Sequence, residues 1–263
     1  MQFFSLLPFL IIAAGIGLVY VGVRPAMIGW AVCMLGVLVG LGVGVAVLVM
    51  GQPNAWFFAL IAGLPFAIAA PMVARDLSYP CINDVTTDTE NTPTFVAALS
   101  APPNFGRNMD FPEHFGSIIR QGYPSLQPLM LEEEPEEVFQ RLEKLASIQP
   151  GWKVTNLNTE KRILEGEAMT TFLRFVDDIV IRVTEQDGKS RIDMRSKSRE
   201  GLLDAGMNAK RIRTFLDQVA KVVGMRVGRP PLSQQSCRIF YPSTRGSKGG
   251  IQCIATTKLS KRM

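Results

Sequence analysis

The sequence predicts a membrane protein in two parts, an N-terminal anchor of three transmembrane helices and a soluble α+β domain built on an antiparallel sheet. Two observations predict this division. Residues 1–74 contain one charged side chain, Arg24, and all other charges of the chain lie beyond them. From residue 124 onward, short runs with strand-like alternation follow one another between two segments of helical periodicity. A long segment without charges needs a solvent that penalises charge, and the bilayer is that solvent.

The anchor contains three apolar runs, which are residues 3–23, 27–50 and 55–74. Each run has roughly the twenty residues that a helix needs to cross ~30 Å of hydrocarbon. Arg24 and Pro25 separate the first run from the second. In the second run, Gly40, Gly42 and Gly44 favour a close approach between helices, because association in lipid depends on packing. We therefore expect the three helices to pack on one another.

The soluble part begins with a segment rich in Pro, Asn, Asp and Thr at residues 75–123, which predicts an irregular collar. The α+β domain follows at residues 124–228. Its predicted elements are a strand at 126–131, a helix opening at Pro135, strands at 152–158, 162–169, 175–184 and 191–198, and a helix from about Asn208 to 223. The links between the four consecutive strands are short, so these strands are expected to be antiparallel neighbours. The predicted order is β-α-β-β-β-β-α, with both helices packed on one sheet.

The C-terminal residues 229–263 are predicted to form a basic tail with a hairpin. From residue 218 to the end there are nine basic residues and no acidic one. Cys237 and Cys253 face each other across the hairpin, either as a disulfide in an oxidising compartment or as two buried thiols. Beside a membrane, anionic lipid headgroups are the nearest partner for such a tail, and a solvated tail is the alternative. Nucleic acid is not expected, because aromatic side chains for base stacking are few.

Two segments of the soluble part carry a recognisable family pattern. The first is YPCINDVTTD at 79–88, and the second is FVDD at 175–178 followed by RSKSREGLLDAGMNAKRI at 195–212. Together they resemble the bacterial DUF1499 family, a family of unknown function, over roughly residues 80–225. The resemblance implies a membrane-anchored or lipoprotein-like protein of the cell envelope, and it implies no established activity.

The side of the membrane that holds the domain is predicted from two opposing signals. Arg24 and Arg75 follow the first and third apolar runs, and the positive-inside rule then places the domain in the cytoplasm. The family resemblance instead implies an exported domain. We expect a multi-pass protein of the inner membrane with its domain in the periplasm, and the cytoplasmic side is the alternative.

The densest polar cluster lies where the last strand passes into the second helix of the domain. Its members are Arg195, Ser196, Ser198, Arg199, Asp204, Asn208 and Arg211. Backbone N–H groups at a helix N-terminus, together with nearby arginines, make a site for phosphate or carboxylate. The alternative is structural: these residues tie the strand to the helix, and Asn208 caps the helix N-terminus.

Two adjacent carboxylates, Asp177 and Asp178, precede this cluster in the chain. Because side chains alternate along a strand, the two must point to opposite faces of the sheet. Either one of them faces a cleft as a functional group, or they serve as partners for an arginine of a neighbouring strand, such as Arg195.

The leading functional hypothesis is a non-enzymatic envelope protein that binds or scaffolds a partner protein, a lipid or a small anionic ligand. The alternative is a hydrolase acting on an anionic envelope substrate, with Asp177 or Asp178 as the base and arginines of the cluster holding the anion. The chain has a single histidine, His114, and no CxxC, P-loop or GxGxxG motif, so no metal and no cofactor are expected. A transporter is disfavoured, since the spans offer no polar pathway.

Overall fold

A computed structural model describes residues 2–51 and 53–222 of the chain. The predicted hairpin, the Cys237–Cys253 pair and the basic tail at 229–263 lie outside the described residues. The anchor consists of α1 (Leu7–Tyr20), α2 (Met27–Val49) and α3 (Ala55–Asp76). A short 3-10 helix precedes α1, and with it the first apolar helix covers Phe3–Tyr20. All three helices are long and apolar enough to cross a membrane, and the three predicted helices are confirmed.

Helix α2 packs between α1 and α3, and small residues allow the close approach. A Cβ atom added at Gly40 would stand 2.4 Å from the carbonyl oxygen of Ala62 on α3. Gly44 likewise faces Ala59 of α3, whereas nothing lies within 4 Å of a Cβ at Gly42. Two of the three predicted glycines therefore lie in the contact, and Gly42 does not.

Up to residue 222, the domain contains six strands and three α-helices. They are β1 (Asp84–Thr86), α4 (Glu113–Gly122), β2 (Leu129–Leu131), α5 (Pro135–Ser147), β3 (Trp152–Asn158), β4 (Ile163–Met169), β5 (Val176–Gln186), β6 (Lys189–Ser198) and α6 (Met207–Val222). The strands form one antiparallel sheet in the order β1-β6-β5-β4-β3, and β2 also pairs with β6. From β2 onward the element order is the predicted one, and the α+β fold with an antiparallel sheet is confirmed.

The segment at 75–123 is more regular than the predicted collar. It contains β1, which extends the sheet by pairing with the end of β6, and the ten-residue helix α4. A three-residue strand is too short to show an alternating pattern in the sequence, and the apolar face of α4 is short and flanked by prolines. Its Ile119 reaches the main core.

The two faces of the sheet differ in what covers them. On one face, which we call the helix face, apolar side chains of the central strands pack on α5 and α6 and form the main core. The largest contributors are Phe139, Leu142, Ile179, Ile181, Ile192, Met194, Ile212 and Phe215. The other face, which we call the loop face, carries ionisable side chains and is covered by residues 87–112. A small apolar cluster of Phe95, Ala98, Met109 and Val180 lies under this cover.

The anchor contacts one end of the sheet. The carboxylate of Glu200, which follows β6, accepts hydrogen bonds from the backbone N–H groups of Ala26 (3.0 Å) and Met27 (2.8 Å) at the start of α2. Between β4 and β5, the carbonyl oxygen of Arg174 accepts a hydrogen bond from Arg24 Nη1 at 2.9 Å. We call this the anchor-facing end of the sheet.

Candidate functional site

Alternation along β6 divides the predicted polar cluster between the two faces of the sheet. The side chains of Ser196 and Ser198 lie on the helix face, and Arg195 lies on the loop face with Lys197. The remaining predicted residues follow the same division. Asp177, Asp204, Asn208 and Arg211 join the serines, whereas Asp178 and Arg199 join Arg195. The structure therefore contains two polar groups where the sequence predicted one.

The group on the helix face is a closed hydrogen-bond network. Ser196 Oγ donates to Asn208 Oδ1 at 2.7 Å, and Asn208 Nδ2 donates to Ser198 Oγ at 3.0 Å. Arg211 donates to Ser196 Oγ at 2.8 Å and pairs with Asp177. Asn208 is fully buried. These contacts tie the end of β6 to α6, which corresponds to the structural alternative for this part of the cluster.

The N-terminus of α6 is capped by Asp204 and not by Asn208, which lies within the helix. The Asp204 carboxylate accepts hydrogen bonds from the N–H groups of Gly206 and Asn208, both at 2.9 Å. Burial raises the pKa of Asp204 to about 6, although both N–H groups act to lower it. The side chain of Asn208 is already hydrogen-bonded to Ser196, Ser198 and Arg211. Asp204 therefore caps the helix instead.

On the loop face, four ionisable residues form a row across four neighbouring strands. Lys197 of β6 lies between Asp84 of β1 and Asp178 of β5, and Asp178 is followed by Glu167 of β4. We call these residues the charged row. Side chains that are direct cross-strand neighbours interact, and opposite charges stabilise the pairing. Asp178 lies in this row on the loop face, whereas Asp177 bonds to Arg211 on the helix face. The two carboxylates therefore occupy opposite faces of the sheet.

Arg195 is enclosed beside this row and cannot contact a ligand in this conformation. Its side chain is 1% exposed. It donates to both carboxylate oxygens of Asp84, at 2.9 and 2.8 Å, and to the carbonyl oxygens of Pro93 and Met109. Its guanidinium also lies over the ring of Phe95 at 4.7 Å. Arg195 therefore holds the covering segment to the sheet, and its carboxylate partner is Asp84.

Next to the charged row, on the side nearer the anchor-facing end of the sheet, Arg199 binds two carboxylates. Its Nη2 lies 2.6 Å from Asp178 Oδ1 and 2.7 Å from Glu167 Oε1. Burial acts to lower the pKa of Arg199, but its hydrogen bonds to Asp178 and Glu167 raise it overall. Asn104 of the covering segment donates to Asp178 Oδ2 at 3.0 Å. Asp178 is thus bonded to Arg199 and Asn104, and Asp177 pairs with Arg211 on the other face.

Arg107, a residue that the sequence did not single out, lies near Arg199 and Asp178. Its Nη2 donates to the carbonyl oxygen of Ser198 at 2.7 Å, and its Nη1 donates to Asn104 Oδ1. The closest carboxylate oxygen, on Asp178, is 3.7 Å away. Burial lowers the pKa of Arg107, and the charge of Asp178 opposes this only in part. The side chain is 23% exposed, more than any other cation of this network.

Cations outnumber carboxylates in this network. Among the described residues that form it, Arg107, Arg195, Lys197 and Arg199 face Asp84, Asp178 and Glu167. Asp84 is shared by Arg195 and by Lys197, whose Nζ lies 2.8 Å from Asp84 Oδ2. Glu200, next in the chain to Arg199, directs its carboxylate to α2 instead. We call Arg107, Lys197 and Arg199 the cationic cluster.

Elsewhere on the loop face, buried acids serve the fold. The fully buried carboxylate of Glu165 accepts hydrogen bonds from the N–H groups of Val96, Ala97 and Ala98, at 2.9 to 3.1 Å. Asp193, also fully buried, pairs with two arginines. These contacts hold the covering segment to the sheet at several points.

The described residues contain no group of three or more His, Cys, Asp or Glu side chains that could hold a metal ion. The single histidine, His114, lies on the exposed surface of α4, with its ring 4.7 Å from that of Phe115. It is not part of the charged row or of the helix-face network.

The sequence contains a signal for some of the charged residues that the predicted cluster did not include. Alternation along the predicted last strand would have grouped Lys197 with Arg195, since both have odd numbers. Asp84 stands in the first family segment, but nothing in the sequence indicates that its strand pairs with β6. Arg107 lies in irregular chain and Asn104 ends a three-residue 3-10 helix, and in neither place does spacing give information about neighbours.

The fold and the site define a class of protein: a small α+β domain, with one charged sheet face, that is joined to three apolar helices compatible with membrane anchoring. The chain belongs to the DUF1499 family, described as a protein of unknown function, and the match covers residues 84–219. The matched residues run from β1 into α6, so they include the charged row, the covering segment and the helix-face network. No curated protein and no solved structure matches the chain.

Proposed function

We propose that this protein is a non-enzymatic binding protein of the cell envelope, anchored in the inner membrane by three spans, with its domain in the periplasm. The ligand is a small anion or an anionic group on a lipid or an envelope protein. The cationic cluster is the proposed binding site: Arg107, the most exposed of the three, contacts the anion, and the more buried, carboxylate-bound Lys197 and Arg199 add positive charge beside it.

The excess of cations in the charged network is the observation that supports this proposal. Buried charges in proteins are normally paired, because an unpaired charge loses its hydration without compensation. Arg107 is partly buried, yet its close partners are a carbonyl and an amide oxygen. Its nearest carboxylate is already bound by Arg199. An anion beside Arg107 would balance the network and would meet a planar guanidinium suited to phosphate or carboxylate.

The first test measures anion binding by the full-length protein in an uncharged detergent. Inorganic phosphate is added, and the midpoint of thermal unfolding (Tm) is followed. We expect phosphate to raise the Tm of the wild type. For Arg107→Gln we expect a dissociation constant at least about ten-fold weaker, since a hydrogen bond to a charged group contributes about 1.5–3 kcal/mol.

Arg141→Gln is the matched control for this test. Arg141 lies on α5, on the opposite side of the sheet, and makes surface ion pairs with Glu133 and Glu137 at 3.4 and 3.5 Å. Such exposed pairs contribute little to stability, so this variant should respond to phosphate as the wild type does. Equal stabilisation of Arg107→Gln and the wild type, or no stabilisation of either, would contradict the proposed site.

A further inference from the structure

The cationic cluster lies at the end of the sheet that contacts the anchor. Arg107 is bonded to the carbonyl oxygen of Ser198, and Glu200, two residues further on, is bonded to the first N–H groups of α2. Because consecutive Cα atoms are 3.8 Å apart, Ser198 and Glu200 are separated by less than about 8 Å. The cationic cluster therefore lies close to the first residues of α2, where this helix would meet the membrane surface.

Two exposed apolar side chains lie in the loops that contact the anchor. Phe172, in the loop between β4 and β5, is 62% exposed, and its neighbour Thr171 lies against Tyr20 at the end of α1. Leu202, two residues after Glu200, is 83% exposed. Large apolar side chains in water are unfavourable, and beside the end of a membrane span they would lie in the interface instead.

We propose that the anchor-facing end of the domain rests on the headgroup layer of its own membrane, with Phe172 and Leu202 in the interface and Arg107 bound to the phosphate of an anionic lipid. This inference rests on the proposed function, because it takes the same cationic cluster and names the class of its ligand. The apolar side chains and the cluster act together: insertion holds the domain end at the depth where lipid phosphates lie, and the cluster selects an anionic headgroup.

The depth of the loop is tested with the full-length chain in nanodiscs. The native cysteines are replaced by alanine, a single cysteine is introduced by Leu202→Cys, and it is labelled with bimane. The discs contain phosphatidylcholine and phosphatidylglycerol, with or without lipids that carry a doxyl quencher. We expect quenching at this position.

Asp187→Cys, in the turn between β5 and β6, is the matched control for depth. This exposed position lies at the far end of the hairpin, and β5 has 11 residues. At 3.3 Å per residue the strand separates the two ends by roughly 35 Å, so bimane there should not be quenched. Absence of quenching at position 202, or equal quenching at both positions, would overturn the proposed seating on the membrane.

The identity of the ligand is tested by competition between a lipid and its soluble headgroup. Full-length protein in an uncharged detergent is mixed with phosphatidylglycerol, phosphatidylcholine or glycerol phosphate, and bound molecules are counted by native mass spectrometry. We expect retention of phosphatidylglycerol over the other two, and loss of it by at least about ten-fold in Arg107→Gln but not in Arg141→Gln.

The outcomes separate this inference from the proposed function. Equal binding of glycerol phosphate and phosphatidylglycerol, lost in Arg107→Gln, would leave the anion site standing and overturn its assignment to lipid. Failure of both phosphates to bind would overturn the site and the inference together. Retention of phosphatidylcholine as strongly as phosphatidylglycerol would overturn headgroup selection by the cluster.

Discussion

A single buried carboxylate illustrates how one residue can be structural and still respond to pH. Asp204 accepts two backbone N–H groups at the start of α6, which favours its charged form, yet burial outweighs them and raises its pKa to about 6. An unfolded Asp titrates near 3.8. Because the folded pKa is the higher one, this residue's contribution to stability is fully present below about pH 3.8 and is lost as the pH rises through about 6.

Asp204→Asn should remove this part of the pH dependence. The amide keeps an oxygen for the helix cap and cannot ionise, and Asn and Asp are similar as N-caps. A shift of roughly two units corresponds to about 3 kcal/mol, so the Tm of the wild type relative to the variant should fall between pH 4 and pH 7. Near-ultraviolet circular dichroism reports the stacked pair of Trp152 and Phe215 in the domain core. A difference in Tm that stays constant with pH would contradict this account.

Two arginines of the charged network show how exposure separates a structural role from a binding role. Arg195 and Arg107 both donate to backbone carbonyls and lie near carboxylates. Arg195 is enclosed on every side by protein, and its bidentate partner Asp84 neutralises it. Arg107 keeps an exposed edge and shares its only close carboxylate, Asp178, with Arg199, so an incoming anion can reach it.

At the scale of elements, β6 organises the domain. It pairs with β1, β2 and β5, and its alternating residues supply one polar group to each face of the sheet. The sequence predicted this strand and its pairing with the preceding strand β5, because alternation and short links are local features. It could not predict that β1, more than a hundred residues away, would pair with β6, since that pairing depends on tertiary contacts. Arg107 was missed for the same reason, whereas Lys197 lies on the predicted strand, where alternation groups it with Arg195.

The packing of α2 on α3 can be tested at one glycine. A Cβ at Gly40 would stand 2.4 Å from a backbone oxygen of α3, which cannot move without separating the helices. Gly40→Ala should therefore destabilise the anchor by about 1–3 kcal/mol, as overpacking does. The Tm in detergent and the rate of proteolysis in the turn between α2 and α3 would report the loosening. Gly42→Ala is the control, because its Cβ would meet open space, and equal behaviour of the two variants would argue against this contact.

At the scale of the whole molecule, the side of the membrane decides which partners the domain meets. The end of α1 and the start of α2 both contact the domain, and α3 leads into it, which agrees with the proposed three spans. Arg24 and Arg75 favour the cytoplasmic side, and the proposed periplasmic location rests on the family resemblance.

Topology is measured with the Asp187→Cys chain in a background without the native cysteines. In intact spheroplasts, a membrane-impermeant thiol reagent should label this exposed turn if the domain is periplasmic. Protection in spheroplasts, with labelling restored on lysis, would place the domain in the cytoplasm. The lipid contact proposed above would then involve the inner leaflet, whose anionic surface potential also attracts basic segments.

The contact between Glu200 and α2 also imposes an order in time. Glu200 follows Ala26 by 174 residues, and at 5–20 residues per second its synthesis comes roughly 10–35 s later. During that interval the first N–H groups of α2 must find water or headgroups as acceptors. The start of α2 is thus completed by a residue made 174 positions later, so the formation of this cap reports that the end of β6 has docked on the anchor.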